Sequence, residues 1–226
     1  MNQHTVKAYG DELNQLTAEV VRMGGLAEAQ VADAIESVAR RDVALAKAVV
    51  ERDNRLDALH RDIEKKAIRL IALRQPVASD LRTVVATLRM SSSLERMGDL
   101  ARHVAQLTRL RYPEHVIPEQ VRTVITAMCD AAVEVAEEVV LLLETQDLAH
   151  GDRIDALNED VNALHLSVFR AIAAPDWSAT PATTTDVTLA SRYLERFTDH
   201  GLSVAAKVRY LVTGEWATHR PDATGS

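Results

Sequence analysis

One cysteine, six prolines, eight glycines and 4% aromatic residues are all that a chain of 226 residues spends on these types. A single Cys129 excludes an intramolecular disulfide, and the first residues carry no charged-then-apolar leader, so the cytoplasm is the expected compartment. So few prolines and glycines leave too few turn formers for an all-β fold. No stretch approaches the ~20 apolar residues a membrane-spanning helix needs; the run at 139–143 is far shorter. Base is outweighed by acid, and a net charge of −7 excludes a general nucleic-acid binder. A hydrophobic content of 47% excludes intrinsic disorder.

What is present is Ala, Val and Leu at helical spacing. Leu16, Val20, Met23, Ala27, Val31, Ala34 and Val38 recur every three or four residues and define one face of a long first helix. Leu56, Leu59, Ile63, Ala67 and Leu70 do so for a second, with Asp42 as the N-cap between them. The third is expected over 77–111, the fourth over 118–144, the fifth over 148–173 and the sixth over 183–213, with Gly214 as its stop. All prolines fall between these segments or in the tail. Gly24 and Gly25 inside the first helix point to a close helix approach or a kink. Trp177 and Trp216 are expected to cover the ends of the bundles, and residues 218–226 to form a flexible tail.

The chain repeats itself. Leu94-Glu95-Arg96 returns as Leu194-Glu195-Arg196 and Asp99 as Asp199, 100 residues on; Asp57-Ala58-Leu59 returns as Asp155-Ala156-Leu157, 98 residues on. The fold class is therefore all-α: two tandem three-helix bundles, residues 1–112 and 113–226. The halves differ in charge, +3 for the first and −10 for the second, which suits two faces with different partners.

Each third helix carries two acids four residues apart, Glu95 and Asp99, then Glu195 and Asp199, on one face beside the apolar stripe. Like charges at this spacing repel by a few tenths of a kcal/mol, so their recurrence needs a cause. One cause is a hard cation held by oxygen ligands. The second helix adds Asp57, His60 and Glu64 on one face; its counterpart offers only Asp155, Asn158 and Asn162. The other cause is pairing with Arg96, Arg102, Arg192 and Arg196.

The runs Gln75-Pro76-Val77-Ala78-Ser79-Asp80-Leu81-Arg82, Leu94-Glu95-Arg96-Met97-Gly98-Asp99 and Tyr193-Leu194-Glu195-Arg196-Phe197-Thr198-Asp199-His200 resemble the PhoU family of phosphate-transport regulators. The resemblance spans residues 9–215. It implies a cytoplasmic, oligomeric regulator without catalysis, expected here as a homodimer. It implies negative regulation of phosphate uptake and starvation signalling through contact with a sensor histidine kinase and the ATP-binding subunit of a phosphate transporter. Some members hold metal clusters, which would place divalent or ferric ions (iron, zinc, magnesium or manganese) on Glu95, Asp99, Glu195 and Asp199. His60 and Glu64 carry the second-helix motif only in part. Two alternatives stand beside this reading: a ferritin-like di-metal protein, which would need Glu-x-x-His motifs that the sequence lacks, and a helical scaffold unrelated to phosphate.

Overall fold

The computed structural model describes residues 3–215, with side chains from residue 9 onward. Within them lie six helices and no strand: α1 (Gln3–Arg40), α2 (Val43–Arg74), α3 (Ala78–Arg111), α4 (Glu119–Thr145), α5 (Leu148–Ile172) and α6 (Pro181–Thr213). Each break has a local cause. Asp42 accepts from the Leu45 amide at 2.9 Å and starts α2; Thr180 accepts from the Thr183 amide and starts α6, with Pro181 in its first turn. Gln75, Gln146 and Gly214 stop α2, α4 and α6 in left-handed conformations, each returning its amide to the preceding turn.

The stripes read from the sequence face inward. Leu16, Val20, Met23, Ala27, Val31 and Ala34 are buried, as are Met90, Leu94, Met97, Ala101 and Val104 on α3 and Leu194, Phe197, Gly201 and Val204 on α6. The chain forms two three-helix bundles, α1–α3 and α4–α6, and α1 packs on α4 while α3 packs on α6. These four helices form a central layer. The remaining helices lie outside it, α2 on α1 and α3, α5 on α4 and α6, and one continuous apolar core runs through both halves.

α3 and α6 are antiparallel over their whole length. The Arg82 guanidinium lies 5.6 Å from the Tyr210 ring centroid, the His103 and Tyr193 rings are 5.1 Å apart, and Arg111 bonds Asp186. The small residue Gly24 marks the α1–α4 approach, since a Cβ there would lie 3.1 Å from Leu143 Cδ1; Gly25 has open space. Trp177 packs at the edge of the core and donates to Thr184 Oγ1 at 2.9 Å. Trp216 and the expected tail lie outside the described residues.

Candidate functional site

The acid pairs sit in related positions, each on the third helix of its half and facing the outer helix of that half. Three of the four are sunk into the groove, with Glu195 8% exposed and the Glu95 and Asp99 side chains about 20%, whereas Asp199 is exposed. Arginines on the same helix take up the charge of Glu95, Asp99 and Glu195. Arg96 lies 3.5 Å from Glu95 and 3.0 Å from Asp99, Arg102 bonds the other Asp99 oxygen at 2.6 Å, and Arg192 donates to both oxygens of Glu195 at 2.7 and 2.6 Å. The like charges at i, i+4 are thus offset within the helix that carries them.

Burial sets the protonation balance. It raises the Glu95 carboxyl above its ordinary value, helped by Asp99 and opposed by Arg96 and His60. Burial also raises Glu195, with Asp199 adding to the effect and Arg192 resisting it; Asp199 is raised by burial against Arg192, Arg196 and His165. His60 contacts Ser92 Oγ at 3.4 Å and lies 3.8 Å from Glu64. His60 and Glu64 thus lie within reach of each other, while Glu95 and Asp99 share Arg96. Among the described residues no three His, Cys, Asp or Glu converge closely enough to hold a metal ion.

The second half has the opposite chemistry to a cation site at Asn158, one of its two neutral donors, while Asn162 is exposed. The Asn158 carbonyl accepts the Thr198 hydroxyl at 3.0 Å, and its amide points NH₂ at Asp199, 3.4 Å away. A metal would need that carbonyl turned outward and Asp199 free of a donor. With Glu195 held by Arg192 and the Asn158 amide reversed toward Asp199, this donor set does not fit a bound cation.

A buried polar network behind Asp99 was not legible from motifs. Gln30 donates to Asp53 at 2.8 Å and to the Gly98 carbonyl at 3.1 Å, while Arg102 Nε lies 2.5 Å from the second Asp53 oxygen as a charge contact without an aligned hydrogen bond. Burial raises the Asp53 carboxyl, and Gln30 and Arg102 oppose the rise. The signal was there in the pattern: Asp53 stands in the stripe Ala46, Val49, Leu56, Ile63, all fully buried, at a position where only a satisfied acid survives. The network joins α1, α2 and α3 and fixes the rotamer of Arg102, hence the place of Asp99.

A PhoU domain family model matches residues 20–108 and again 125–208. The chain is 41% identical over 221 residues to a phosphate-specific transport system accessory protein PhoU homolog of Caulobacter vibrioides, covering 96% of this chain and 95% of that one. It is 36% identical over 210 residues to PhoU homolog 2 of Mycobacterium tuberculosis, covering 92% and 97%. The crystal structure of PhoU from Pseudomonas aeruginosa superposes with a TM-score of 0.80 at 26% identity, over 92% of this chain and all of that one. The phosphate transport system regulatory protein PhoU from Streptococcus pneumoniae has the same fold, with a TM-score of 0.77.

Proposed function

The chain belongs to the PhoU family, and on that premise we propose that it is a negative regulator of phosphate uptake and of phosphate-starvation signalling. In this reading it works in the cytoplasm as a homodimer. It contacts the ATP-binding subunit of a phosphate transporter and a sensor histidine kinase, and catalyses nothing itself. The observation that carries the reading is the end-to-end match, in both halves, to relatives named as accessory proteins of phosphate-specific transport.

The surface supports an adaptor. The halves differ in charge by sign, +3 against −10, so one rigid body offers distinct faces to distinct partners. The α2–α3 turn presents Leu73, 67% exposed, and Val77, 74% exposed, next to Arg69 and Arg74. Exposed apolar side chains beside Arg69 and the Arg74–Glu12 ion pair suit a protein contact whose anchors bury on docking. No described helix is long and apolar enough to cross a membrane, which fits a protein that reaches the transporter from its surface.

Deletion tests the reading. In a strain freed of every PhoU paralogue (the Mycobacterium bovis relatives are numbered 1 and 2), starvation genes are expected to stay switched on in high phosphate, and restoring this chain is expected to silence them. Expression that remains low in high phosphate without the protein overturns the regulatory role. Capture of neither the kinase nor the transporter subunit by the tagged chain would favour the bare scaffold.

A further inference from the structure

Among the described residues the central layer of α1, α3, α4 and α6 has two seams that no third helix packs across, α3–α6 and α1–α4, because α2 and α5 cover the other two sides. Each seam is biased in charge. On α3–α6 the groups that act on His200 are all cations, Arg196, Arg96 and Lys207, of which Arg96 has Glu95 and Asp99 beside it. On α1–α4 the groups that act on Glu28 are acids, Glu137 and Glu144. A second copy related by a two-fold axis would meet its own sign on either seam.

The end of the body that holds the α3–α4 link is different. There Arg41 donates to the Pro113 carbonyl at 3.2 Å, Arg111 bonds Asp186, and Gln120 donates to the Ser178 hydroxyl at 2.9 Å. These contacts draw together the α1–α2 turn, the link over 112–118 and the α5–α6 loop. Cations are answered nearby, Arg40 by Glu36 at 2.8 Å and Arg122 by Glu119 at 2.6 Å. The remaining exposed charges include both signs, Arg109 and Arg170 with Glu114, Asp130 and Asp176. Between α1, the link and α4 lies a cavity of about 370 Å³, walled by Ile35, Val38, Ile117 and Ile125, with the exposed Thr126 and Asp130 also lining it. On the same end two apolar side chains stand unburied, Leu110 at 71% exposure and Tyr112 at 61%. Tyr112 opens the link that walls the cavity at Ile117. One face thus carries an aromatic projection and an apolar recess a few residues apart, the two parts of a self-complementary contact.

We propose that this end is where two copies of the chain meet, each Tyr112 entering the other's cavity between α1 and α4, with Leu110 packed at its edge. This interface rests on the homodimer of the regulatory reading, for which it supplies the surface. A two-fold axis between projection and recess fills both recesses and closes the pair. The ring buries apolar area against Ile35, Val38 and Ile125, while its hydroxyl reaches Asp130 or Thr126. Charges of both signs let like surfaces approach here, as neither seam does. The α2–α3 turn, at the opposite end, stays free for a protein of another kind.

The test is sedimentation equilibrium of the full chain over a range of concentrations. The parent is expected to be a dimer. Tyr112→Glu removes the projection, and Ala39→Glu puts a charge on an exposed position of the cavity lining. Each is expected to raise the dimer dissociation constant about tenfold or more. Both positions are exposed, so the far-UV circular dichroism of the variants is expected to match the parent. Leu73→Glu, at the α2–α3 turn, is expected to leave the constant unchanged. A parent that stays monomeric overturns the homodimer and this surface together. A dimer that Tyr112→Glu or Ala39→Glu leaves at parental strength overturns the surface alone, as does an equal loss in Leu73→Glu.

Discussion

Arg111, the last residue of α3, bonds Asp186, in the second turn of α6, through two of its nitrogens, and thereby ties the end of the first bundle to the last helix of the second. The two partners are unlike in burial: Asp186 is 3% exposed, whereas a third of the Arg111 side chain reaches solvent.

That asymmetry predicts unequal mutants. Arg111→Ala strands a buried carboxylate and is expected to be the more destabilising of the two single variants. Asp186→Ala leaves an arginine that can turn to water, at a cost of about 1–2 kcal/mol. The double variant Arg111→Met with Asp186→Leu is expected to recover most of the loss. Urea unfolding of the four proteins checks this; equal losses for the two single variants would contradict it.

Two helical glycines should respond with opposite sign to alanine. A Cβ on Gly98 would lie 2.1 Å from Leu56 Cδ2, and Leu56 is fully buried. Gly98→Ala is expected to lose about 1–3 kcal/mol by overpacking. At Gly25 nothing lies within 4 Å of the added methyl, so Gly25→Ala should gain about 0.5–1 kcal/mol from helix propensity alone. Thermal melts read both.

The Glu195 carboxyl gives a signed pH dependence. Its folded value is raised by burial above the ordinary 4.5, so the folded state holds its proton more tightly than the unfolded chain does. Stability contributed by this group therefore falls as pH rises through the window above 4.5, and returns on acidification. Histidines 103, 165 and 200 act the other way: burial lowers them below 6.5, and their stability is lost as pH falls through that region. The difference between Glu195→Gln and the parent cancels the histidines. Its stability relative to the parent is expected to be highest near neutrality and to decline toward pH 4; a flat difference from pH 4 to 8 would refute the raised value.

Arginine capture of the acids sets an expectation for metal. Elemental analysis of the protein as isolated is expected to find no stoichiometric iron, zinc or manganese at Glu95 and Asp99. Arg96→Ala combined with Arg102→Ala removes both competing cations from Asp99 and is expected to raise divalent-ion affinity there. A bound metal in the parent that Glu95→Ala or Asp99→Ala abolishes would show that the arginines swing aside.

The linear pattern settled the helices, two of their caps and their duplication, because a stripe repeating every three or four residues can bury itself only as one face of a helix, and Asp42 and Gly214 do their capping within a single turn. It also placed Glu95 with Asp99 and Glu195 with Asp199, since an offset of four is a local distance. Tertiary structure decided everything that depends on distance across helices. It set Glu95, Asp99 and Glu195 beside their arginines and left Asp199 exposed, turned the Asn158 amide toward Asp199, drew Gln30, Asp53 and Arg102 into one network, and brought Lys207 of the second half to the groove that Arg89 of the first lines. Spacing along a chain fixes which side of a helix a residue occupies; the neighbour it meets there is chosen by the crossing and register of helices that are a hundred residues apart.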